Sequence, residues 1–193
     1  MKPASLLPWT VGLAAWLGLA AAGENIVSLT LFREDGSASA LEVNRNQATL
    51  DLSGQGLVRI AGMEKMANLH NFDGSSNKLT ALPGGITNQP RLQTVNVDSN
   101  LLSELPGFGG SAELRVVRAA RNRVVTAQGY DSNRKLQKLD LSSNLLQSLK
   151  GLEKIADRCE LDVRFNPIPC PQVCEYIKLH PSIAVLSSCD CPQ

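Results

Sequence analysis

The sequence predicts an α/β solenoid, a curved coil with a parallel β-sheet on its concave face and short helical or 3₁₀ turns on its convex face. Two observations carry this. An asparagine returns at Asn77, Asn100, Asn122, Asn144 and Asn166, in steps of 23, 22, 22 and 22 residues, and Gln55 stands 22 residues ahead of Asn77. An apolar frame travels with it. Around Asn144 it comprises Leu136, Leu139, Leu141, Leu146 and Leu149; around Asn100 the same offsets give Leu92, Val95, Val97, Leu102 and Leu105. A fixed period of this length marks a stacked architecture, in which each repeat buries its apolar side only against its neighbours.

Each place in the frame has a physical role. The central apolar pair lies on a short strand, so side chains alternate between the interior and the concave surface. The asparagine closes the strand as the chain turns inward, where its amide satisfies backbone groups otherwise buried without partners. Gln55 is expected to substitute loosely in the first repeat. Gly74 and Ala119 stand where other repeats carry an interior leucine or valine, and Arg158 holds the first apolar place of the last repeat. Thinner packing is expected there, with a weaker final repeat. The segments LHNFDGSSNKL (69–79), LQTVNVDSNLL (92–102) and LQKLDLSSNLL (136–146) resemble the leucine-rich repeat family, whose frame is L-x-x-L-x-L-x-x-N-x-L. The resemblance implies a right-handed coil and non-enzymatic recognition of a protein or peptide on the concave face, without cofactor or metal. Inhibition of a secreted hydrolase, or a structural or adhesive role at a surface, are the alternatives.

In chain order, residues 1–22 read as a secretory signal: Lys2 gives the positive start, Val11 to Leu19 the apolar centre and Ala20-Ala21-Ala22 a small-residue cleavage site, with an uncleaved anchor helix over the uncharged Ala4 to Ala22 as the alternative. The remainder, about 171 residues, suffices for one domain in a secreted, extracellular protein. Residues 23–47 form an N-terminal cap or one degenerate repeat. Ile26–Phe32 alternates, Asp35-Gly36 turns the chain, and Leu41 and Val43 follow; as a repeat, Glu34 would hold the asparagine place. Residues 48–168 hold about six repeats, centred on Gln55 and the five asparagines. Leu149, Leu152 and Ile155 recur at three-residue steps, as do Ile60, Met63 and Met66, which predicts helical or 3₁₀ turns on the convex side. The pieces Pro83-Gly84-Gly85 and Gly107–Gly110 fall in return arcs, where turn geometry accounts for them.

Residues 169–193 form a cysteine-containing C-terminal cap. Asn166-Pro-Ile-Pro-Cys170 resembles the start of the cap that ends many extracellular repeat proteins, although here C-x-C comes only at 189–191. Cys170 and Cys174 share one face of a helix begun at Pro169, and Cys189 and Cys191 share one side of an extended segment, so two parallel bridges form. Cys170–Cys191 with Cys174–Cys189 is favoured over the alternative pairing, and Cys159 is left as a buried thiol. The tail from Ser188 to Gln193 is polar, without the hydrophobic stretch of a lipid-anchor signal.

Charge excludes some partners. The chain has 19 basic and 18 acidic side chains, a balance unlike that of nucleic-acid or anionic-membrane binders. No Asn-x-Ser/Thr sequon occurs. His70 and His180 have no patterned serine or cysteine partner, and no catalytic or phosphate-loop motif is present. The sites are therefore sought on the strands. The outward column is Asp51, Asp73, Asn96, Arg118, Asp140, Asp162. Two residues later come Ser53, Ser75, Asp98, Ala120, Ser142 and Arg164, and two residues earlier Thr49, Asn71, Thr94, Val116, Lys138 and Glu160. The candidate contact residues are Asp51, Asp73, Asn96, Asp98, Arg118, Arg121, Asp140, Asp162 and Arg164. They suit a partner with basic groups flanking an acidic or carbonyl-rich point held by Arg118 and Arg121. The competing reading makes Asp a tolerated, solubilising strand residue, with Arg118 paired to Asp140 across strands. Phe165 is expected to pack beneath the cap.

Overall fold

The computed structural model describes residues 25–191, so the secretory signal expected at residues 1–22 lies outside the described residues. The chain begins with an antiparallel hairpin, β1 (Ile26–Arg33) and β2 (Ala38–Asn44), turned at Asp35-Gly36, where Ser37 N–H donates to Asp35 Oδ1 at 2.8 Å. β1 also pairs with β4 (Leu57–Ala61) on the return arc of the first coil, so the hairpin covers that edge. Arg59 of β4 lies 3.7 Å above the Phe32 ring, and Lys78 pairs with Glu34.

The main sheet is parallel and seven-stranded. β3 (Thr49–Asp51), β5 (Asn71–Asp73), β6 (Thr94–Asn96), β8 (Val116–Arg118), β10 (Lys138–Asp140) and β11 (Glu160–Asp162) follow in order, and β12 (Ala184–Leu186) closes the row. Six of these strands are the predicted ones, in the predicted register. β12 was not anticipated: a segment beyond the last asparagine adds a seventh rung, Leu161 against Val185. This is a leucine-rich repeat solenoid. The convex side is less uniform than expected. Two coils carry 3₁₀ turns, Met63–Lys65 and Ile86–Asn88, whereas two others carry paired parallel strands, β7 (Glu104–Pro106) and β9 (Thr126–Gln128). In the Asn144 coil the three-residue steps appear only as two turns, Leu152 N–H to Leu149 O and Ile155 N–H to Leu152 O.

Each asparagine ties its own coil to the one before. Asn144 Nδ2 donates to Ala119 O at 2.9 Å, Leu141 O at 3.0 Å and Ser142 O at 3.2 Å, while Oδ1 accepts from Val124 N–H at 2.9 Å. Asn77, Asn100, Asn122 and Asn166 repeat this arrangement. The residue just before each asparagine (Ser76, Ser99, Arg121, Ser143, Phe165) has φ between 55 and 58, which turns the amide inward at some backbone strain. Gly54 takes that place in the first coil. Gln55, however, is exposed and does not join the ladder; with no coil before it there is no carbonyl row to bond.

The core is one continuous aliphatic row from Leu29 to Ile183. Gly74 does not thin it, because the ring of Phe72 occupies the vacated space: a Cβ at Gly74 would meet that ring at 2.8 Å. Nor does Arg158 enter it. A left-handed backbone there (φ 62) leaves Arg158 exposed and brings Cys159 inside, as the expected buried free thiol. A second polar column on the return arcs escaped the sequence reading: Gln89, Ser111 and Asn133, again 22 residues apart and buried. Asn133 Nδ2 donates to Phe108 O at 2.8 Å and Ser111 O at 3.1 Å, and Gln89 Nε2 to Met63 O at 2.8 Å.

The C-terminal helix α1 (Cys170–Leu179) packs Val173 and Tyr176 inward, and Tyr176 Oη donates to Leu152 O at 2.7 Å. The bridges are Cys170–Cys189 and Cys174–Cys191, which corrects the favoured pairing. The tail leaves β12 and passes α1 in the helix's own direction; the favoured pairing needed the opposite one.

Turn geometry accounts for Gly85 (φ 85), as expected, whereas Gly107 is required by a close contact. A Cβ at Gly107 would lie 1.7 Å from Gly129 O, whereas one at Gly109 meets nothing. Gly107→Ala is expected to destabilise by at least about 2 kcal/mol and Gly109→Ala by under about 0.5 kcal/mol in denaturant unfolding. In the same measurement Asn144→Ala, which orphans several buried groups, should cost about 3 kcal/mol. Asn166→Ala, half-buried at the end of the ladder, should cost about half of that.

Candidate functional site

Strand register brings the predicted residues into one row. Asp51 lies beside Asp73, Asp73 beside Asn96, Asn96 beside Arg118, Arg118 beside Asp140, and Asp140 beside Asp162. Leu186, which the sequence reading lacked, extends the row past Asp162. Asp98 and Arg164 sit in the adjoining row, and Arg121 at the exposed turn before Asn122. Eight of the nine candidates therefore lie in the two concave rows, with Arg121 at the turn beside them, although Asp162 is almost fully buried.

The acidic row is part of the fold. Asp51 Oδ1 accepts from Ser53 N–H at 2.9 Å, Asp73 Oδ1 from Ser75 N–H at 2.9 Å, and Asp140 Oδ1 from Ser142 N–H at 3.0 Å. Asn96 and Asp162 do likewise for Asp98 and Arg164. An Asx turn thus ends five of the seven strands and holds the chain for its inward bend. The backbone and side chain of Ser53 hold the Asp51 carboxyl below its usual value. Arg118 cannot accept, and the gap is filled from the neighbouring coil: Asp98 Oδ1 accepts from Ala120 N–H at 2.7 Å. Half-buried for this purpose, Asp98 has its carboxyl raised, first by desolvation against the lowering bond from Ala120, then by Asp140 and Asp73 against Arg118.

The charges divide by partner. Arg164 Nε lies 3.0 Å from Asp162 Oδ1, and Lys138 Nζ 2.7 Å from Glu160. Burial raises the Asp162 carboxyl, but the bonds and charge of Arg164 outweigh this and leave it below its usual value. Among the described residues, Arg118 and Arg121 make no ion pair, so the pairing of Arg118 with Asp140 that belongs to the competing reading is absent. Phe165 is 71% exposed instead of packed beneath the cap, because its left-handed backbone (φ 58) turns it out. With Leu186, 38% exposed, it gives this side an apolar C-terminal end. Hollows of about 610 and 600 Å³ lie elsewhere, on return arcs lined by Asp131, Lys154 and their neighbours. The concave surface is an open curve, suited to a macromolecule more than to an enclosed small molecule.

No family model matches this sequence, and no curated protein matches it. An internalin from Listeria monocytogenes is similar in structure, with TM-score 0.55 and 18% identity, covering 68% of this chain and 38% of that one. A leucine-rich repeat protein from Leptospira interrogans is similar with TM-score 0.55 and 21% identity, covering 64% of this chain and 38% of its own. The chain thus spans well under half the length of either structure, and the likeness is one of fold.

Asp98→Ala should lower stability by about 1 kcal/mol, since Ala120 N–H loses its acceptor at a half-exposed position. Asp98→Asn keeps an acceptor and removes the charge. A raised folded-state pKa means that the Asp98 contribution is greatest below the ordinary value of 3.8 and is lost as pH rises through the folded value. The Asn variant should therefore gain on the natural chain as pH rises from acid to neutral. Urea unfolding at both ends of that range checks the sign.

Proposed function

We infer that this chain is an extracellular, non-enzymatic recognition module that binds a protein or peptide along its concave face. The carrying observation is the pair of Arg118 on that face and Arg121 at the turn beside it, which make no ion pair among the described residues. Every other charge in the outward row is engaged in an Asx turn or an ion pair, so these two guanidiniums are available to an outside carboxylate or carbonyl row. Around them the surface is graded. Asp51 and Asp73 lie on one side, and Leu186 and Phe165 on the other. A fitting partner is an extended segment with a basic end, an acidic centre and an apolar end.

The support is stiff and of suitable size. At about 4.8 Å per strand, six to seven strands span roughly 24–29 Å, at the small end of specific interfaces. Two disulfides favour an oxidising, extracellular setting, as does the sequence of residues 1–22. No helix of the described residues is long and apolar enough to cross a membrane. The reading calls for no cofactor or metal.

Capture of partners from the native secretome should fail for a variant carrying Arg118→Glu and Arg121→Glu, with affinity at least about tenfold weaker, or about 1.4 kcal/mol. Phe165→Ser should weaken the same complex without changing the unfolding midpoint. Undiminished capture by a folded double variant would place the site elsewhere. Loss of glycosidase or protease activity on adding the natural chain would identify the partner as a hydrolase.

A further inference from the structure

The hairpin carries a second surface, remote from the concave row. β2 is the outermost strand of its sheet, and among the described residues nothing pairs with its outer side. The flanking bonds Arg45 N–H to Asn25 O and Arg33 N–H to Ser37 O set the phase of its bonding to β1 on odd-numbered residues. The N–H and C=O groups of Ala38, Ala40, Glu42 and Asn44 therefore point away from β1. The strand has seven residues, a single charge, and none of the lysines, prolines or bulges that ordinarily blunt an open edge.

We propose that β2 pairs antiparallel with β2 of a second copy of this chain, in the register that sets Leu41 opposite Leu41 of that copy. Three two-fold registers keep the outward phase with substantial overlap. A centre at Glu42 opposes two carboxylates directly, which is destabilising. A centre at Ala40 pairs Asn44 with the turn residue Gly36 and faces Leu41 with Ser39. A centre at Leu41 pairs Ala40 with Glu42 and Ala38 with Asn44, so that every outward group of the strand is bonded and no like charges meet. It also covers Leu41, half-buried against the core in the single chain, with its own copy on the core-side face. The two three-stranded sheets become one of six strands. The contact is at the small end of specific interfaces, so the dimer should form at about micromolar concentration.

Sedimentation equilibrium of the secreted chain up to about 200 µM should show twice the mass of one chain. Ala40→Pro removes an outward N–H and leaves the β1 pairing intact; it should give the mass of one chain with an unchanged unfolding midpoint. Under oxidation Leu41→Cys should cross-link to a covalent dimer. Ser39→Cys, opposite Val43, should not, and Cys159 is buried and does not compete. A single-chain mass throughout overturns the proposal, as does a dimer insensitive to Ala40→Pro. Cross-linking through Ser39→Cys in place of Leu41→Cys overturns the register. None of these residues belongs to the concave row, so the arginine variants and these fail or succeed independently.

Discussion

One asparagine amide per coil is the interaction on which the rest of the molecule depends. Each coil must turn its backbone into the interior, where water cannot reach the freed N–H and C=O groups. A primary amide offers two donors and a doubly accepting oxygen in one small plane, so it serves its own turn and the preceding coil together. Asn100 does so through Gly74 O, Val97 O and Leu79 N–H. That reach across coils fixes how one coil stacks on the next. It also explains why bulky residues such as Arg121 and Phe165 accept a left-handed backbone one position earlier. The strain is a cost at each coil that the satisfied amide offsets. At the first coil no earlier carbonyls exist, and the same logic releases Gln55 to solvent.

The concave surface is shaped by the same demand. The column of Asp51, Asp73, Asn96, Asp140 and Asp162 looks like a ligand-binding feature in sequence, but each member has an oxygen committed to the turn that ends its strand. The two readings of the acidic row, functional and bland, are therefore not exclusive. One carboxylate oxygen holds the backbone, and the remaining charge still sets the potential of the face. Arg118 breaks the rule without breaking the fold because Asp98 takes over the vacant bond from one coil away. A basic residue in the middle of the row thus requires a side-chain acceptor at position 98, and the two positions form one unit.

Much of this was legible in the sequence because it is periodic. The strands, the asparagine ladder and the register of the outward columns follow from spacing alone, whereas spacing puts Arg158 in the core place that Cys159 takes. The rest depends on contacts that spacing does not carry. The column of Gln89, Ser111 and Asn133 has the same period, but three different residue types hide it. Gly62, Gly85, Gly107, Gly129 and Gly151 recur at 23, 22, 22 and 22 residues; four of them have positive φ, and the spacing does not carry the close approach of Gly107 to Gly129. Leu57–Ala61, Glu104–Pro106 and Thr126–Gln128 do not recur in every coil, so the repeat does not reveal them as strands on the return arcs. The cysteine pairing turned on the direction of a tail whose strand, β12, lies outside the repeat frame. Phe165 was misjudged because composition does not reveal the sign of φ.

A surface so largely committed to folding leaves few places where partner preference can vary. The interior positions are closed by packing, and the outward acids are tied to the turns. What remains is the column two residues earlier, Thr49, Asn71, Thr94, Val116, Lys138 and Glu160, together with the two free arginines and the apolar end at Leu186 and Phe165. In that earlier column only Lys138 and Glu160 are paired by charge, and partial exposure makes that pair weak. Substitutions here alter what the inner curve presents while leaving the ladder untouched. In the proposed complex, selectivity would be carried by side chains that the backbone does not need, and in this chain those positions flank Arg118 on both sides.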